Sequence, residues 1–159
     1  MPGARILLVE DDDVLRELIQ RNLEARGYDV QVAPDARSAL DCLRTSLFDL
    51  VFLDICLPDQ TGWEVLRTAQ SEGRFAALEG GDAGQLPVVV LSAVRASTRR
   101  LQEFHPLAYL PKPFPMEAIL RLAAEAARRS CGEAVTEQED EEEAERLSTN
   151  MSHEEELHA

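Results

Sequence analysis

The segment at residues 50–66, LVFLDICLPDQTGWEVL, contains the strand, the acidic residue and the helix on which the rest of the fold can be aligned. Its first four residues are apolar without interruption, which is typical of a strand that is covered on both faces. Asp54 follows directly, Pro58 and Gly62 mark a loop, and apolar residues then recur at helical spacing. A strand, a loop and a helix in this order form the repeating unit of α/β proteins.

The alternation of strand and helix continues along most of the chain. Short apolar runs predict the other four strands, at residues 5–9 (RILLV), 30–32, 87–91 (PVVVL) and 108–110. Apolar residues three or four positions apart predict five helices, over residues 14–23, 36–43, 63–69, 97–104 and 116–129. Because strands that alternate with helices favour a parallel sheet, we expect an α/β fold with a doubly wound, five-stranded parallel sheet.

Two segments lack this pattern. Residues 71–85 hold four glycines and predict a long loop before the fourth strand. Residues 133–159 carry eleven acidic side chains and one arginine, so they bury too little apolar surface to fold by themselves. We therefore predict one domain over residues 1–132 and an acidic tail over residues 133–159, which is either mobile or a helical extension.

Composition and charge exclude several classes of protein. The 159 residues carry a net charge of −14, and neither the domain nor the tail has the basic face that nucleic acid binding requires. No apolar run is long enough to cross a membrane, and the N-terminus has no secretory signal. Cys42, Cys56 and Cys131 form no CxxC pair and have no metal-ligand spacing, and their odd, scattered count indicates reduced thiols in a cytoplasmic protein.

Side chains suited to phosphoryl chemistry follow four of the predicted strands. Glu10 and Asp11 follow the first strand, and Asp54 follows the third. Ser92 follows the fourth strand and Lys112 follows the fifth. The carboxyl ends of parallel strands form the edge where α/β proteins bind ligands, so these side chains should meet there. Carboxylates can bind Mg²⁺ and accept a phosphoryl group, while an ammonium and a hydroxyl can hold its oxygens.

Four motifs on these elements resemble the receiver domains of two-component signalling. They are LLVEDD at 7–12, LVFLDICLPDQTGWEVL at 50–66, VVVLSA at 88–93 and YLPKPF at 109–114. Each motif is weak alone, but all four occur in order and on the expected elements. The resemblance implies a flavodoxin-like (βα)5 fold with strand order 2-1-3-4-5. It also implies that the protein is a phosphorylation-dependent response regulator, a signalling switch with at most self-phosphorylation from small donors and autodephosphorylation.

The resemblance implies a set of metal ligands around the phosphoryl acceptor. Asp54 corresponds to the acceptor, which is also a metal ligand. Asp11 should bind Mg²⁺ (or Mn²⁺) directly, and Glu10 should bind it through water. Cys56 should contribute its backbone carbonyl rather than its thiol.

The resemblance also assigns the residues that sense the phosphoryl group. Lys112 corresponds to the phosphate-binding lysine, and a cis peptide bond is expected between it and Pro113. Ser92 corresponds to the switch hydroxyl and Tyr109 to the switch aromatic side chain. Ala93 is small enough to leave room for the phosphoryl group.

The partner implied by this resemblance is a histidine kinase or a histidine phosphotransfer protein that donates the phosphoryl group. The downstream protein target, the oligomeric state and a homodimer stay open. The chain could be a stand-alone receiver or a fragment of a larger regulator or hybrid kinase.

The resemblance is weakest between Ser92 and Tyr109. This stretch is shorter than is usual in the family, and the residues at 105–107 replace a turn that contains glycine. The fourth helix is therefore expected to be short, shifted or poorly ordered.

Two other functions fit parts of the pattern. A phosphatase with an aspartyl nucleophile needs a second acid two residues after the first, but Cys56 occupies that position. An adaptor that keeps the fold without phosphorylation has no need of Asp54, Lys112 and the acidic pair. A phospho-acceptor switch uses all of these residues, so we predict a switch rather than an enzyme.

Several other residues have ordinary interpretations. Asp12 and Asp13 are both interpreted as caps of the first helix, since aspartate favours that position. Trp63 is interpreted as part of the core or its cover. Residues 150–154, NMSHE, resemble the start of the phospho-accepting box of histidine kinases, but the resemblance ends at Glu155. We interpret this short similarity as a chance match, with a degraded or truncated kinase junction as the alternative.

Overall fold

The computed structural model describes residues 3–73 and 86–130. Within these residues, five parallel strands form one sheet in the order β2-β1-β3-β4-β5. The strands are β1 (Arg5–Val9), β2 (Asp29–Ala33), β3 (Leu50–Asp54), β4 (Val88–Ser92) and β5 (Ala108–Pro111). The helices are α1 (Asp13–Ala25), α2 (Ala36–Thr45), α3 (Gly62–Ser71), α4 (Thr98–Phe104) and α5 (Met116–Ser130). The predicted doubly wound sheet and its strand order are confirmed.

The described residues belong almost entirely to one of two compact units. These units are Met1–Ala127 and Arg128–Ala159, and the second is described only over residues 128–130, at the end of α5. The predicted acidic tail, Cys131 and the NMSHE segment lie outside the described residues, as does most of the predicted loop before β4. In the part of the chain that is described, no helix has the length and apolar character needed to span a bilayer.

The sheet has an apolar layer on each face because successive side chains of a strand point to opposite sides. On β1, Leu7 and Val9 join the core beneath α2, α3 and α4. Ile6 and Leu8 join the core beneath α1 and α5. All five residues of β3 and of β4 are buried, which explains why these strands lack an alternating polar face.

Two adjacent aspartates at the start of α1, which were both interpreted as caps, have different roles in the structure. Asp12 is the N-cap, and its carboxylate accepts hydrogen bonds from the backbone N–H groups of Val14 and Leu15. Asp13 is instead the first residue of the helix, where its carboxylate forms an ion pair with Arg16. The cap interpretation is therefore right for Asp12 and wrong for Asp13, because one helix has one N-cap position.

Helix α4 is short, as expected, but it is firmly attached to the core. It spans seven residues, and its N-cap is Ser97, whose hydroxyl accepts a hydrogen bond from the backbone N–H of Arg100. Its C-cap is His105, which has a left-handed backbone conformation with φ 46°. The buried Phe104 stacks on Trp63 of α3 with ring centroids 5.7 Å apart. This aromatic pair joins α4 to α3.

We predict that Phe104→Ala lowers the free energy of unfolding by about 3 kcal/mol, because it leaves a cavity beside Trp63. The substitution should also change the fluorescence of Trp63, the single tryptophan of the chain. Urea unfolding monitored by circular dichroism and by fluorescence measures both effects. Leu47→Ala is the control, since Leu47 is 82% exposed and its loss should cost under about 0.5 kcal/mol. Equal stabilities of the two variants would show that α4 is not anchored through Phe104.

Candidate active site

Three carboxylates meet at the carboxyl ends of β1 and β3. These strands are neighbours, and Val9 lies opposite Leu53 in their register. Glu10 follows Val9 and Asp54 follows Leu53, so Glu10 and Asp54 lie side by side. Asp11 is the next residue after Glu10. One oxygen from each of the three carboxylates lies within 4.8 Å of the others. The structure thus brings together the acidic residues that the sequence placed at this edge.

The ammonium group of Lys112 lies among these carboxylates. Its Nζ donates to Glu10 Oε1 at 2.7 Å and Oε2 at 3.0 Å, and to Asp54 Oδ2 at 3.1 Å. The backbone N–H of Lys112 donates to the carbonyl of Ser92 at 2.8 Å, which holds the end of β5 beside the end of β4. The peptide bond between Lys112 and Pro113 is cis, as the resemblance implied. The lysine thereby connects the ends of β1, β3 and β5.

The site concentrates negative charge, and two of its three carboxylates are buried while Asp11 is exposed. Glu10 is fully buried and Asp54 is 2% exposed. Three carboxylates against one ammonium would leave a formal charge of −2. Burial raises the pKa of Glu10 from 4.5 to about 7; the hydrogen bonds from Lys112 oppose this rise, whereas Asp54 adds to it. Without a metal, Glu10 therefore releases its proton at a higher pH than an ordinary glutamate does.

Burial and neighbouring charges also shift the pKa values of Asp11 and Lys112. Desolvation raises the pKa of Asp11, and the neighbouring Asp54 raises it further. For Lys112, burial acts to lower the pKa, but the hydrogen bonds and charges of Glu10 and Asp54 outweigh it and raise the pKa above its ordinary value. The Lys112 ammonium therefore stays protonated at neutral pH.

The loop after β3 packs tightly against Asp54. The backbone N–H of Cys56 donates to Asp54 Oδ1 at 3.0 Å. The N–H of Gly62 donates to the carbonyl of Ile55 at 2.8 Å, and Cys56 pairs with Thr61 across the loop. A Cβ atom on Gly62 would lie 2.6 Å from the carbonyl oxygen of Asp54, so a side chain there would displace Asp54. The thiol of Cys56 is exposed, and the role of its carbonyl as a metal ligand stays a prediction.

Ser92 and Tyr109 share one backbone acceptor. The hydroxyl of Ser92 donates to the carbonyl of Val94 at 2.7 Å and accepts from the N–H of Val94 at 3.1 Å. The hydroxyl of Tyr109 donates to the same carbonyl at 3.0 Å and accepts from the N–H of Ala96 at 3.3 Å. The two residues that were predicted to act as a switch are thus coupled through Val94, although their roles stay predictions.

Two residues around the site were missed by the sequence analysis. The guanidinium of Arg16 donates to the backbone carbonyl of Glu10 at 3.0 Å, which holds the turn between β1 and α1. The carboxylate of Asp59 binds the start of α2 from the loop after β3. The one local signal for Asp59 is its place after a proline in a loop, and an aspartate there usually bonds within its own turn.

Comparison with known proteins identifies the family. The model of the response regulator receiver domain matches residues 6–124. The chain belongs to this family. The receiver domain is 37% identical over 129 residues to the response regulator MprA of Mycolicibacterium vanbaalenii, a match that covers 80% of this chain and 52% of the relative. MprA of Mycobacterium bovis is 35% identical over 137 residues, which cover 85% of this chain and 55% of the relative. The chain thus spans about half the length of these relatives.

Solved receiver domains have the same fold. A Francisella response regulator receiver domain superposes with a TM-score of 0.69 at 23% identity, over 80% of this chain and 99% of that one. The TrrA response regulator of Thermotoga maritima, in complex with Mg²⁺–BeF, gives 0.63 at 25% identity, over 77% and 98% of the two chains. The receiver domain of a sensor histidine kinase from Pseudomonas aeruginosa, with magnesium coordinated in its active-site cleft, gives 0.64 at 25% identity over 79% and 98%. Receiver domains of this family act as phospho-acceptor switches in two-component signalling.

We predict that the free energy of unfolding of the metal-free receiver domain falls as the pH rises from about 5 to about 8. The reason is that ionisation of Glu10 is less favourable in the folded chain than in the unfolded chain. Its pKa is about 7 when folded, against an ordinary value of 4.5. The penalty is absent below the lower value and fully present above the higher one, where it is on the order of 3 kcal/mol. Denaturant unfolding in EDTA at both pH values measures it.

Glu10→Gln removes this titration and should reduce the dependence of stability on pH. Asp13→Asn, which changes an exposed acid in the first turn of α1, should keep the dependence of the parent. If Glu10→Gln and the parent have the same dependence on pH, Glu10 does not titrate in the way proposed.

Proposed function

We propose that this receiver domain accepts a phosphoryl group on Asp54 in a reaction that requires a divalent cation. The donor is a histidine kinase or a histidine phosphotransfer protein. The observation that carries this proposal is the meeting of the Glu10, Asp11 and Asp54 carboxylates with the ammonium of Lys112 at one edge of the sheet. This arrangement combines a nucleophile, metal ligands and a cationic partner for the phosphoryl oxygens.

The residues at this edge fit Mg²⁺ or Mn²⁺. Three carboxylates within 4.8 Å of one another supply hard oxygen ligands. Two of them, on Glu10 and Asp11, have pKa values that are raised first by burial and then by Asp54, and a bound cation would stabilise their ionised forms. Asp11 and Asp54 would hold the ion directly, Glu10 through water, and the carbonyl of Cys56 would complete the protein ligands. When bound, the ion would neutralise charge on the phosphoryl oxygens.

Asp54 supplies the attacking oxygen. In the transfer step, a bond forms between this oxygen and phosphorus while the bond between phosphorus and the imidazole nitrogen of the donor breaks. The loop N–H of Cys56 and the ammonium of Lys112 hold one carboxylate oxygen each. The carboxylate is therefore oriented before the donor arrives, which lowers the entropic part of the barrier.

Lys112 has to exchange partners during the reaction. Its ammonium has three N–H groups, and three carboxylate oxygens accept from it. A phosphoryl group on Asp54 would offer new acceptors with more negative charge, so at least one of these bonds would be replaced. The lysine would then hold the phosphoryl group as a point charge.

Ser92 and Tyr109 would transmit the change to the surface. A Ser92 hydroxyl that donates to a phosphoryl oxygen would give up its bond to the carbonyl of Val94. Tyr109 would keep its hydrogen bond to the carbonyl of Val94. The segment between β4 and α4 would then move relative to Ser92. Because Phe104 of α4 stacks on Trp63 of α3, the fluorescence of Trp63 would report this movement.

We predict that radiolabelled acetyl phosphate labels the parent in the presence of Mg²⁺ and not in EDTA. Asp54→Asn should abolish the label while circular dichroism shows an intact fold, because the amide is a poor nucleophile. Asp13→Asn is the matched control for loss of a nearby acid and should keep the label. Undiminished label on Asp54→Asn would place the acceptor at another residue.

The course of the same reaction separates the three candidate functions. Stoichiometric label that decays slowly supports the switch, and continuous release of phosphate would indicate a phosphatase. Absence of label from small donors, and from a histidine kinase or phosphotransfer protein, would indicate an adaptor.

We predict that Ser92→Ala keeps the label on Asp54 but loses most of the Trp63 fluorescence change that beryllofluoride, a phosphoryl mimic, produces in the parent. The substitution removes the hydroxyl that couples the site to Val94. Ser71→Ala removes a hydroxyl that bonds to a carbonyl at the end of α3, and it should leave both signals unchanged. A full fluorescence response in Ser92→Ala would contradict the proposed switch.

A further inference from the structure

Asp59 ties the loop after β3 to the start of α2. Its Oδ1 accepts from the N–H of Ala36 at 2.9 Å, and its Oδ2 accepts from the N–H of Arg37 at 3.0 Å. Oδ1 also accepts from the N–H of Gln60 at 3.1 Å, which fixes the side chain against its own loop. Both carboxylate oxygens are thus engaged with backbone donors, although the residue lies on the surface.

This contact adds to the ordinary cap of α2. Asp35 is the N-cap, and its carboxylate accepts from the N–H of Ser38 at 2.7 Å. Asp59 takes the two preceding N–H groups, which a helix leaves without internal partners. The bonds from Ala36 and Arg37 lower the pKa of Asp59, so the bridging carboxylate stays ionised at neutral pH. Two aspartates from different parts of the chain therefore share one helix start.

The loop is held at its base as well as at its tip. At the base, Cys56 pairs with Thr61, and the N–H of Cys56 donates to Asp54 Oδ1. At the tip, Asp59 binds α2. The residues between Asp54 and α3 are thus fixed at two points, one at the acceptor carboxylate and one at a neighbouring helix.

We propose that Asp59 is a positioning residue for the acceptor site, which it serves by holding the loop so that the backbone of Cys56 lies correctly beside Asp54. This inference rests on the proposed function, because the backbone of Cys56 matters only if the site binds a cation and a phosphoryl group. A loop released from α2 would sample other positions of Cys56, and cation binding would have to restore the ordered one. Loss of Asp59 therefore weakens Mg²⁺ binding without removing any ligand.

The coupling is reciprocal. If Mg²⁺ binds more tightly when the loop is attached to α2 than when it is released, then bound Mg²⁺ strengthens the attachment of the loop to α2 by the same factor. The N–H groups of Ala36 and Arg37 donate hydrogen bonds to Asp59. Bound Mg²⁺ should therefore slow hydrogen exchange at these two N–H groups more than at helix positions remote from the site. Asp59→Ala should remove this effect of Mg²⁺.

The experiment titrates the full chain with Mg²⁺ and follows the fluorescence of Trp63, which lies next to Gly62 at the end of the loop. Asp59→Ala should weaken Mg²⁺ binding about tenfold, the lower end of the effect of groups that support metal ligands. Asp59→Asn keeps an oxygen that can accept from Ala36 and should weaken binding less. Asp35→Ala is the matched control: it should lower the melting temperature through α2 and change the Mg²⁺ affinity less than about twofold.

The possible results separate this inference from the proposed function. If Asp59→Ala binds Mg²⁺ as the parent does while Asp54→Asn binds it much more weakly, the site stands and the role of Asp59 is wrong. If Asp35→Ala weakens Mg²⁺ binding as much as Asp59→Ala, the effect comes from the stability of α2 and the inference is overturned. If Asp54→Asn binds Mg²⁺ as tightly as the parent, the proposed metal site itself fails.

Discussion

The acidic site at the carboxyl ends of the strands depends on the hydrogen bonds that the ammonium of Lys112 donates. This ammonium donates to both oxygens of Glu10 and to Asp54, two carboxylates that are almost fully removed from water. Buried carboxylates without a partner would be protonated or would destabilise the fold, since burying an unpaired charge costs several kcal/mol. One cation shared between two acids lowers this cost and still leaves the site short of positive charge. That shortage of positive charge supports the proposed binding of a divalent cation at this edge.

The parallel sheet supplies the geometry for this shared cation. Adjacent strands β1 and β3 put Glu10 beside Asp54, and the end of β5 carries Lys112 to the same edge. The central strands β3 and β4 are apolar up to their last residues, Asp54 and Ser92, so the core is covered on both faces and the polar side chains lie at the strand ends. Gly62 completes the arrangement because its missing Cβ allows α3 to begin in contact with the carbonyl of Asp54.

The site extends beyond its charged centre through backbone hydrogen bonds. Ser92 and Tyr109 meet at the carbonyl of Val94, which links the acidic edge to the segment before α4. Asp59 links the loop after β3 to α2. In both cases a side chain bonds to a backbone group of a different element, so a change at Asp54 has a physical route to two surfaces of the domain. Under the proposed function, these contacts would give the domain more than one element that responds to phosphorylation of Asp54.

The sequence by itself determined the order of strands and helices, the parallel sheet and the placing of Glu10, Asp11, Asp54, Ser92 and Lys112 at the ends of strands. These features follow from the spacing of apolar residues, which is local, and from the rule that parallel strands end at one edge. Only the tertiary structure decided that Lys112 pairs with Glu10 as well as Asp54, and that Asp13 pairs with Arg16 rather than capping α1. It also decided that Val94 is the common acceptor and that Asp59 binds α2. The reason is physical: a hydrogen bond depends on where two groups meet in space, and Lys112 is 102 residues from Glu10 along the chain.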